Sequence, residues 1–537
     1  MDICTSSHPK CSQVDSQPPP LPTRVIAVGT KGSSKSYLVS GDKKRGYYAT
    51  LSHCWVGPNN LPLSSTDQTL SCRQQGIEDE SLPKTFRHAV RVCRELGIEY
   101  IWIDSLCIIQ AQETQEDWAK EAPKMGVVYG NSILNISAAA AADSTQGCFK
   151  ERLGLFCWPC PITLFGQACY LFRHPTGVEL ICADPGDLDI SKNVLAQRAW
   201  VLQEQVLSRR SITFSKTLLI WRCRTLSTNE KYPLGIPHAQ GILADNYRLL
   251  HCLINGVPLP MPKTPMIYFY TCWYRIVTEF TGRDLTYEED RLSAIAGIAK
   301  RFGGVVDDTY HAGLWRRDMI TGLLWNPGRT PGKHRTRSAR APSWSWASIG
   351  GGVTYQNLLS FSAVRIPFLP LVDILDVFDP PTCVEHPFGV TSKASLSLSG
   401  VLIAVVQNEH EDSRPALIDE GTHFEHRGNI LISDVGNFDQ LDLACLFYLP
   451  VGLAVAYDYE QVLQNKGDLH RFFLETSLET EKQDRLAFDH VYCLILEIAQ
   501  GKQDTYRRVG LCIVGYYQNI EVISPAVLGE RRSITLI

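Results

Sequence analysis

Residues 82–110 read LPKTFRHAVRVCRELGIEYIWIDSLCIIQ, and the two halves of this stretch carry different hydrophobic periods. In the first half Phe86, Ala89, Val90, Cys93 and Leu96 recur at spacings of three and four, as on a helix buried along one stripe. Pro83 stands in the first turn, where its missing N–H costs nothing, and Gly97 supplies the stop. In the second half residues 100–109 (YIWIDSLCII) are almost continuously apolar, the pattern of a strand covered on both faces in a parallel sheet, with Asp104 as the one charge. Upstream, residues 48–55 (YATLSHCW) have the β-branched and aromatic content of a strand and run into the turn-forming Gly57, Pro58, Asn59 and Asn60. Strand, helix and strand in this order make a βαβ unit with a right-handed crossover, so an α/β domain on a parallel sheet is expected.

Downstream, Thr114 can cap a helix running to about Val128, with Gln115, Glu116 and Asp117 in its first turn and Pro123 as an interruption. Residues 133–138 read as a further strand, 199–206 as a helix and 211–223 as another strand. Before this domain, residues 1–44 look loosely attached, with Pro18, Pro19 and Pro20 together and a polar GTKGSSKS stretch. After it, helical patterns extend from Trp273 through Phe280 to Arg301 and over 314–325, and the basic run 331–340 (PGKHRTRSAR) reads as an exposed linker. Trp344 and Trp346 alternate as core residues of a strand do, and from about Ser395 one strand pattern follows another. The expected division is a flexible segment at 1–44, an α/β domain at 45–225, a helical middle at 226–340 and a β-rich region at 341–537.

A chain of 537 residues is too long for a single hydrophobic core, and a net charge of −4 gives no general attraction for a polyanion, so no nucleic-acid partner is expected. Residues 1–20 lack the apolar core of a secretory signal. The apolar run 443–457 is too short to span a bilayer and contains Pro450 and Gly452, so it reads as a strand pair with a turn, and no membrane span is expected. The 18 cysteines are spread through the chain, with Cys93, Cys107, Cys445 and Cys512 inside apolar runs, which suits reduced thiols packed in a cytoplasmic protein. Cys157 and Cys160 form a lone C-x-x-C with no second pair at zinc-finger spacing, Cys169 and Cys182 being isolated, so no metal site is assigned. No Gly-x-Gly-x-x-Gly or Walker lysine motif is present, and no resident cofactor is expected.

In order and spacing, LSHCW at 51–55, the 82–110 stretch quoted above, DWAKEAPKMGVVYGNSILNISAA at 117–139 and RAWVLQEQVLSRR at 198–210 resemble the fungal heterokaryon-incompatibility (HET) domain family. EDRLSAIAGIAKRF, HAGLWRRDMITGLLW, PSWSWAS and YRRVGLCIV resemble segments that follow that domain in full-length members. Val56 between Trp55 and Gly57, and Pro123 in a helix, depart from the family pattern. The resemblance implies an effector of fungal non-self recognition that triggers cell death, acting through self-association or with an incompatibility partner protein. It also implies a remotely TIR-like fold, and some TIR domains cleave NAD between nicotinamide and ribose. NAD or a related nucleotide is then the candidate substrate. A non-enzymatic oligomerising signalling module and an accessory role in fungal secondary metabolism are the other readings.

On that comparison Glu121, three residues after Trp118, is the first candidate for a catalytic carboxylate; the alternative is a solvated helix charge. Glu204, on one helical face with Trp200 and Gln203, is the second; the alternative is an ion pair with Arg198 or Arg209. Ser52, His53, Trp55 and Asp104 stand where strands end and, with Trp118 and Trp200, are the candidates to line a ligand crevice; the alternatives are a loop cap for Asp104 and a hydrogen-bonded structural role for His53. Cys107 reads as packed, since nothing nearby lowers its pKa.

Overall fold

The structure, a computed structural model, describes residues 1–8, 11, 17–55, 62–110, 116–151, 160–164, 167–171, 193–230, 266–328, 341–355, 368–380, 393–404, 416–418, 423–426, 429–434, 446–455, 488–499, 503–515 and 530–537. They fall into two compact units. The first is Met1–Lys263 with Arg283–Leu285 and Ser293–Val305, and the second is Thr264–Gly282 with Thr286–Leu292 and Val306–Ile537. The stretch read as a helical middle is thus shared between them.

The first unit begins with helix α1 (Asp2–Ser7) and strands β1 (Arg24–Ala27), β2 (Lys35–Ser40) and β3 (Tyr48–Ser52). Helix α2 (Asp67–Gln75), strand β4 (Ile77–Glu78), helix α3 (Lys84–Glu95) and strand β5 (Tyr100–Trp102) follow. Next come the single turn α4 (Asp104–Cys107), helix α5 (Glu116–Glu121), helix α6 (Met125–Asn131) and strand β6 (Leu134–Ser137). The hairpin β7 (Cys160–Leu164) and β8 (Gln167–Leu171), helix α7 (Ala199–Leu207) and strands β9 (Arg210–Phe214), β10 (Leu219–Cys223) and β11 (Ser227–Asn229) complete the list. A nine-stranded sheet runs in the order β11-β10-β9-β6-β3-β5-β1-β2-β4. Its centre, β5-β3-β6-β9, is parallel, and the strands on either side pair antiparallel.

The βαβ unit forms as the periods require. Thr85, Phe86, Ala89, Val90 and Cys93 are the buried stripe of α3, and Gly97 ends it at φ +68°, which glycine adopts without strain. Leu96 lies past the helix end and is 44% exposed. Several expectations are corrected. The apolar run after Tyr100 is a strand only to Trp102, because the chain turns at Ile103 into α4, so Asp104 begins a helical turn rather than continuing a strand. Residues 211–223 are two strands of a hairpin, β9 and β10. Residues 24–40, read as part of a loosely attached segment, are instead built into the sheet: β1 pairs with β5 through Ile26 and Ile101, and Val25, Ile26 and Leu38 are core residues. Pro123 behaves as its chemistry demands, with a 3-10 turn at Ala122–Lys124 separating α5 from α6.

The helix α9 (Ala296–Val306) belongs to this unit through Val305; α8 (Met266–Thr281) belongs to the second. α9 crosses α6 at glycine against glycine: a Cβ on Gly297 would lie 2.9 Å from the Gly126 Cα and 2.4 Å from Gln203 Oε1. Gln203 Oε1 also accepts the Gly297 N–H at 2.7 Å, which ties α7 into the same crossing.

In the second unit the 3-10 turn Trp346–Ser348, and not a strand, presents the PSWSWAS residues. Trp344 and Trp346 are fully buried. The Trp346 and Trp273 indoles both donate to the Gly313 carbonyl, at 2.9 and 3.2 Å. Residues read as a helix at 314–325 are instead a short hairpin, a 3-10 turn and the four-residue helix Met319–Gly322. The β-rich end is an eleven-stranded sheet. In it Leu446–Val455 is one strand whose register slips between Pro450 and Gly452, where a strand pair with a turn was expected. Arg508 and Asp434 pair in its core at 2.9 Å, both almost wholly buried, with the guanidinium 3.5 Å above the Trp325 ring. The basic run 331–340, Val56, Thr114, Cys157, Cys182 and Cys445 lie outside the described residues.

The crossing gives a paired prediction. Gly297→Ala forces α6 and α9 apart and lowers the unfolding temperature of this unit, by about 1–3 kcal/mol in stability. Gly304→Ala, in the same helix with open space around it, raises stability by up to about 1 kcal/mol through helix propensity alone. Calorimetry of both variants checks this; opposite signs are expected, with the loss at Gly297 the larger, and a stabilised Gly297→Ala would refute the tight crossing.

Candidate functional site

The parallel strand order β5-β3-β6-β9 is that of a doubly wound sheet, whose switch point lies between β3 and β6, and ligands in such sheets collect outside the carboxyl ends of the strands there. A parallel sheet buried on both faces is expected to be apolar. Here the register sets Thr50 beside Asn135 and Asn135 beside Ser211, and one step nearer the carboxyl ends Ser52 beside Ser137 and Ser137 beside Thr213. All six are buried. Side chains two residues apart on a strand share a face, so these form a polar patch on one side of the sheet.

Helices α6 and α7 supply its surroundings. Thr50 and Ser52 donate to Asn135 Oδ1 at 3.2 and 3.1 Å, and the buried Tyr129 hydroxyl of α6 donates to the Leu51 carbonyl at 3.3 Å. Glu204 of α7 is buried against Ser52 and Tyr129. Burial pushes its carboxyl up to about 7, with the Asp104 charge adding to the effect, while the Ser52 and Tyr129 hydroxyls and the Arg198 charge oppose it. Glu204 Oε2, Asn135 Nδ2 and Ser137 Oγ are buried without a hydrogen-bond partner. An unpaired buried polar atom costs about 1–3 kcal/mol, and these three lie on or against the patch.

Asp104 connects this patch with its neighbours. Its Oδ2 accepts the Trp55 indole N–H at 3.0 Å, and its Oδ1 accepts the Ser105 backbone N–H at 2.7 Å and lies 3.6 Å from His53 Nδ1. Ser52 and His53 are consecutive and do not share a crevice: Ser52 faces the polar patch, whereas the His53 ring stands edge-on to Phe86 of α3 at 4.9 Å. His53 is 3% exposed, neither ring nitrogen is hydrogen-bonded, and burial lowers its pKa, so the imidazole is neutral. Its carbonyl accepts from Arg198 at 2.7 Å.

Glu121 is placed elsewhere. Its Oε1 accepts from Thr23 and Lys124, each at 2.9 Å, and one turn earlier Asp117 pairs with Arg24. These contacts clamp α5 to the chain entering β1. Trp118 turns instead to Trp200, edge-to-face at 6.1 Å. The contacts thus group Ser52 and Glu204 at the polar patch with Asp104 beside it, Trp55 and His53 around Asp104, and Trp118 with Trp200, while Glu121 bonds to Thr23 and Lys124. Glu204 makes no ion pair with Arg198 or Arg209, whose guanidinium groups donate to the His53 and Gly130 carbonyls. Cys107 is buried and its thiol is pushed up to about 12, as a packed cysteine requires.

Sequence reasoning missed Tyr129, Asn135, Ser137 and Thr213. The available signal was alternation of polar residues in three segments, YATLS, LNIS and RSITF, that a purely buried sheet would fill with apolar side chains.

Residues 48–204 match the family model described as Heterokaryon incompatibility protein (HET). This stretch is a HET domain. It opens on the first residue of β3 and closes on Glu204, so the match spans β3, β5, β6 and most of α7, and leaves β1, β2 and the β9–β11 edge outside. Searches of curated proteins and of solved structures return no match. The match covers somewhat less than a third of the 537-residue chain. No helix among the described residues is long and apolar enough to cross a membrane.

The shift at Glu204 has a sign. Between its ordinary 4.5 and about 7 the folded HET domain holds a proton that the unfolded chain has released, so this group's contribution is full below about 4.5 and lost as pH rises through about 7. His53, lowered, acts in the other direction, its contribution being lost as pH falls. Glu204→Gln removes only the first. The unfolding-temperature difference between variant and parent should therefore move in the variant's favour from pH 4.5 to about 7 and level off above; parallel curves would show that Glu204 titrates normally.

Proposed function

We propose that the HET domain is the effector of an incompatibility reaction ending in cell death, and that its chemical step is cleavage of NAD or a related nucleotide at the bond between ribose and base, with Glu204 as the acid–base group. The supporting observation is a buried carboxyl poised at about 7 beside a second carboxyl, Asp104, at the carboxyl ends of parallel strands. A proton acceptor works best with a pKa near the operating pH. In the proposed step the C1′–N bond breaks with its electron pair leaving on the base. The positive charge that develops on the ribose is favoured by Asp104, and water adds its oxygen to C1′ while Glu204 takes its proton. Asn135 and Ser137, with their unpaired polar atoms, hold ribose hydroxyls. Glu121 acts on this reading as the clamp on α5, outside the chemistry.

A second reading is favoured by the near-complete burial of Glu204 and His53. In it the cluster is a protonation-sensitive core, and the domain signals without turnover, by self-association or through an incompatibility partner in the cytoplasm.

Induction of the full chain in a fungal host, with viability and cellular NAD followed together, separates the two. Glu204→Gln should keep the protein folded and lower NAD cleavage by about 100-fold or more, with killing lost in parallel; Glu121→Gln should leave turnover within a few-fold. Killing by Glu204→Gln with NAD unchanged would overturn the enzymatic reading.

A further inference from the structure

Four side chains outside the HET match meet on the first unit. Cys4 lies in α1, His8 directly follows that helix, Cys11 lies three residues on, and Cys223 ends β10. Their Sγ and imidazole nitrogen atoms all lie within 4.8 Å of one another, and the three cysteines are buried. Cys223 Sγ is 3.5 Å from His8 Nδ1. A tetrahedral zinc ion, with bonds of about 2.3 Å to sulfur and 2.0 Å to nitrogen, separates a sulfur from a nitrogen donor by about 3.5 Å and two sulfurs by about 3.8 Å. The remaining donors, within 4.8 Å of one another, reach that spacing by closing up by no more than about 1.3 Å.

The surroundings carry the charge that thiolates need. Arg210 is 2% exposed and has no carboxylate partner among the described residues. Its Nε donates to Cys4 Sγ at 3.2 Å and its Nη2 to the Cys11 carbonyl at 2.8 Å. A buried guanidinium without a counter-ion is costly, and three thiolates, one dication and a neutral imidazole leave the single negative charge that Arg210 balances. The Leu226 backbone N–H points at Cys223 Sγ at 3.3 Å, and Thr225 Oγ1 lies 3.6 Å from Cys11 Sγ. Hydrogen bonds from the β10–β11 turn onto the sulfurs are what a metal-bound thiolate receives from its surroundings.

We propose that Cys4, His8, Cys11 and Cys223 form a structural zinc site that fastens the first residues of the chain to the β9–β10 hairpin beside the HET domain. All four positions are filled by protein donors, so the ion has no open position for substrate, and the soft three-sulfur set selects zinc over magnesium or calcium. The site explains why a short helix with a single buried residue holds its place: α1 buries Cys4 alone.

The full-length protein, purified without chelator, should contain one zinc per chain by elemental analysis. Cobalt exchanged into it should give the intense visible bands of tetrahedral thiolate coordination. Cys11→Ser and Cys223→Ser should each lose the metal, and His8→Cys should retain it. Since a serine variant could misfold, the parent is also tested: stripping zinc with a chelator should expose the chain around α1 to protease at least tenfold faster, with zinc restoring protection. Less than a tenth of a zinc per chain, cobalt bands unchanged in Cys223→Ser, or a disulfide among the three cysteines by mass spectrometry would overturn the site.

Discussion

Water is excluded from a parallel sheet covered on both faces, and the central strands of this one nevertheless carry hydroxyls, an amide and, against them, a carboxyl. That constraint organises the first unit. Glu204 can be accommodated at the carboxyl ends of β3 and β6 only because Ser52 and Tyr129 face it, and burial there raises its pKa to about 7. The same location is the switch point of the strand order, where the chain leaves β3 toward β5 and returns across it to β6. Topology thus provides the location, and the polar alternation of the strands provides its chemistry.

The supports of that patch come from distant parts of the chain. Gln203, next to Glu204, caps the Gly297 N–H where α9 crosses α6, so the helix that carries the carboxyl is fixed on its other side. Asp104 is oriented by Trp55 and Ser105, and α5 is held by the Glu121 and Asp117 contacts to the chain around β1. Both edge segments outside the HET match, β1–β2 and β9–β11, are therefore parts of the sheet on which the domain is built.

The βαβ unit was legible in the sequence because its helix carries one buried stripe and its strand an unbroken apolar run, signals that come from burial itself. β1 and β2 were not, since RVIA is too short to show a period and the polar turn after it hides the pairing. The separation of Glu121 from Glu204 could not be read either: spacing says that Trp118 and Glu121 share a helical face, but not that Trp118 turns to Trp200 while Glu121 reaches Thr23. Cys4, His8 and Cys11 were passed over because Cys223, their fourth member, stands more than two hundred residues away, and only the sheet brings it to them.

The proposed chemistry rests on the protonation of the Glu204 carboxyl, and the most direct measurement is an infrared difference titration of the parent protein against Glu204→Gln, which isolates the carbonyl stretch of that side chain. A protonated-carboxyl band that persists to near neutral pH and disappears with a midpoint close to 7 is the predicted result. A midpoint near the ordinary 4.5 would contradict the account.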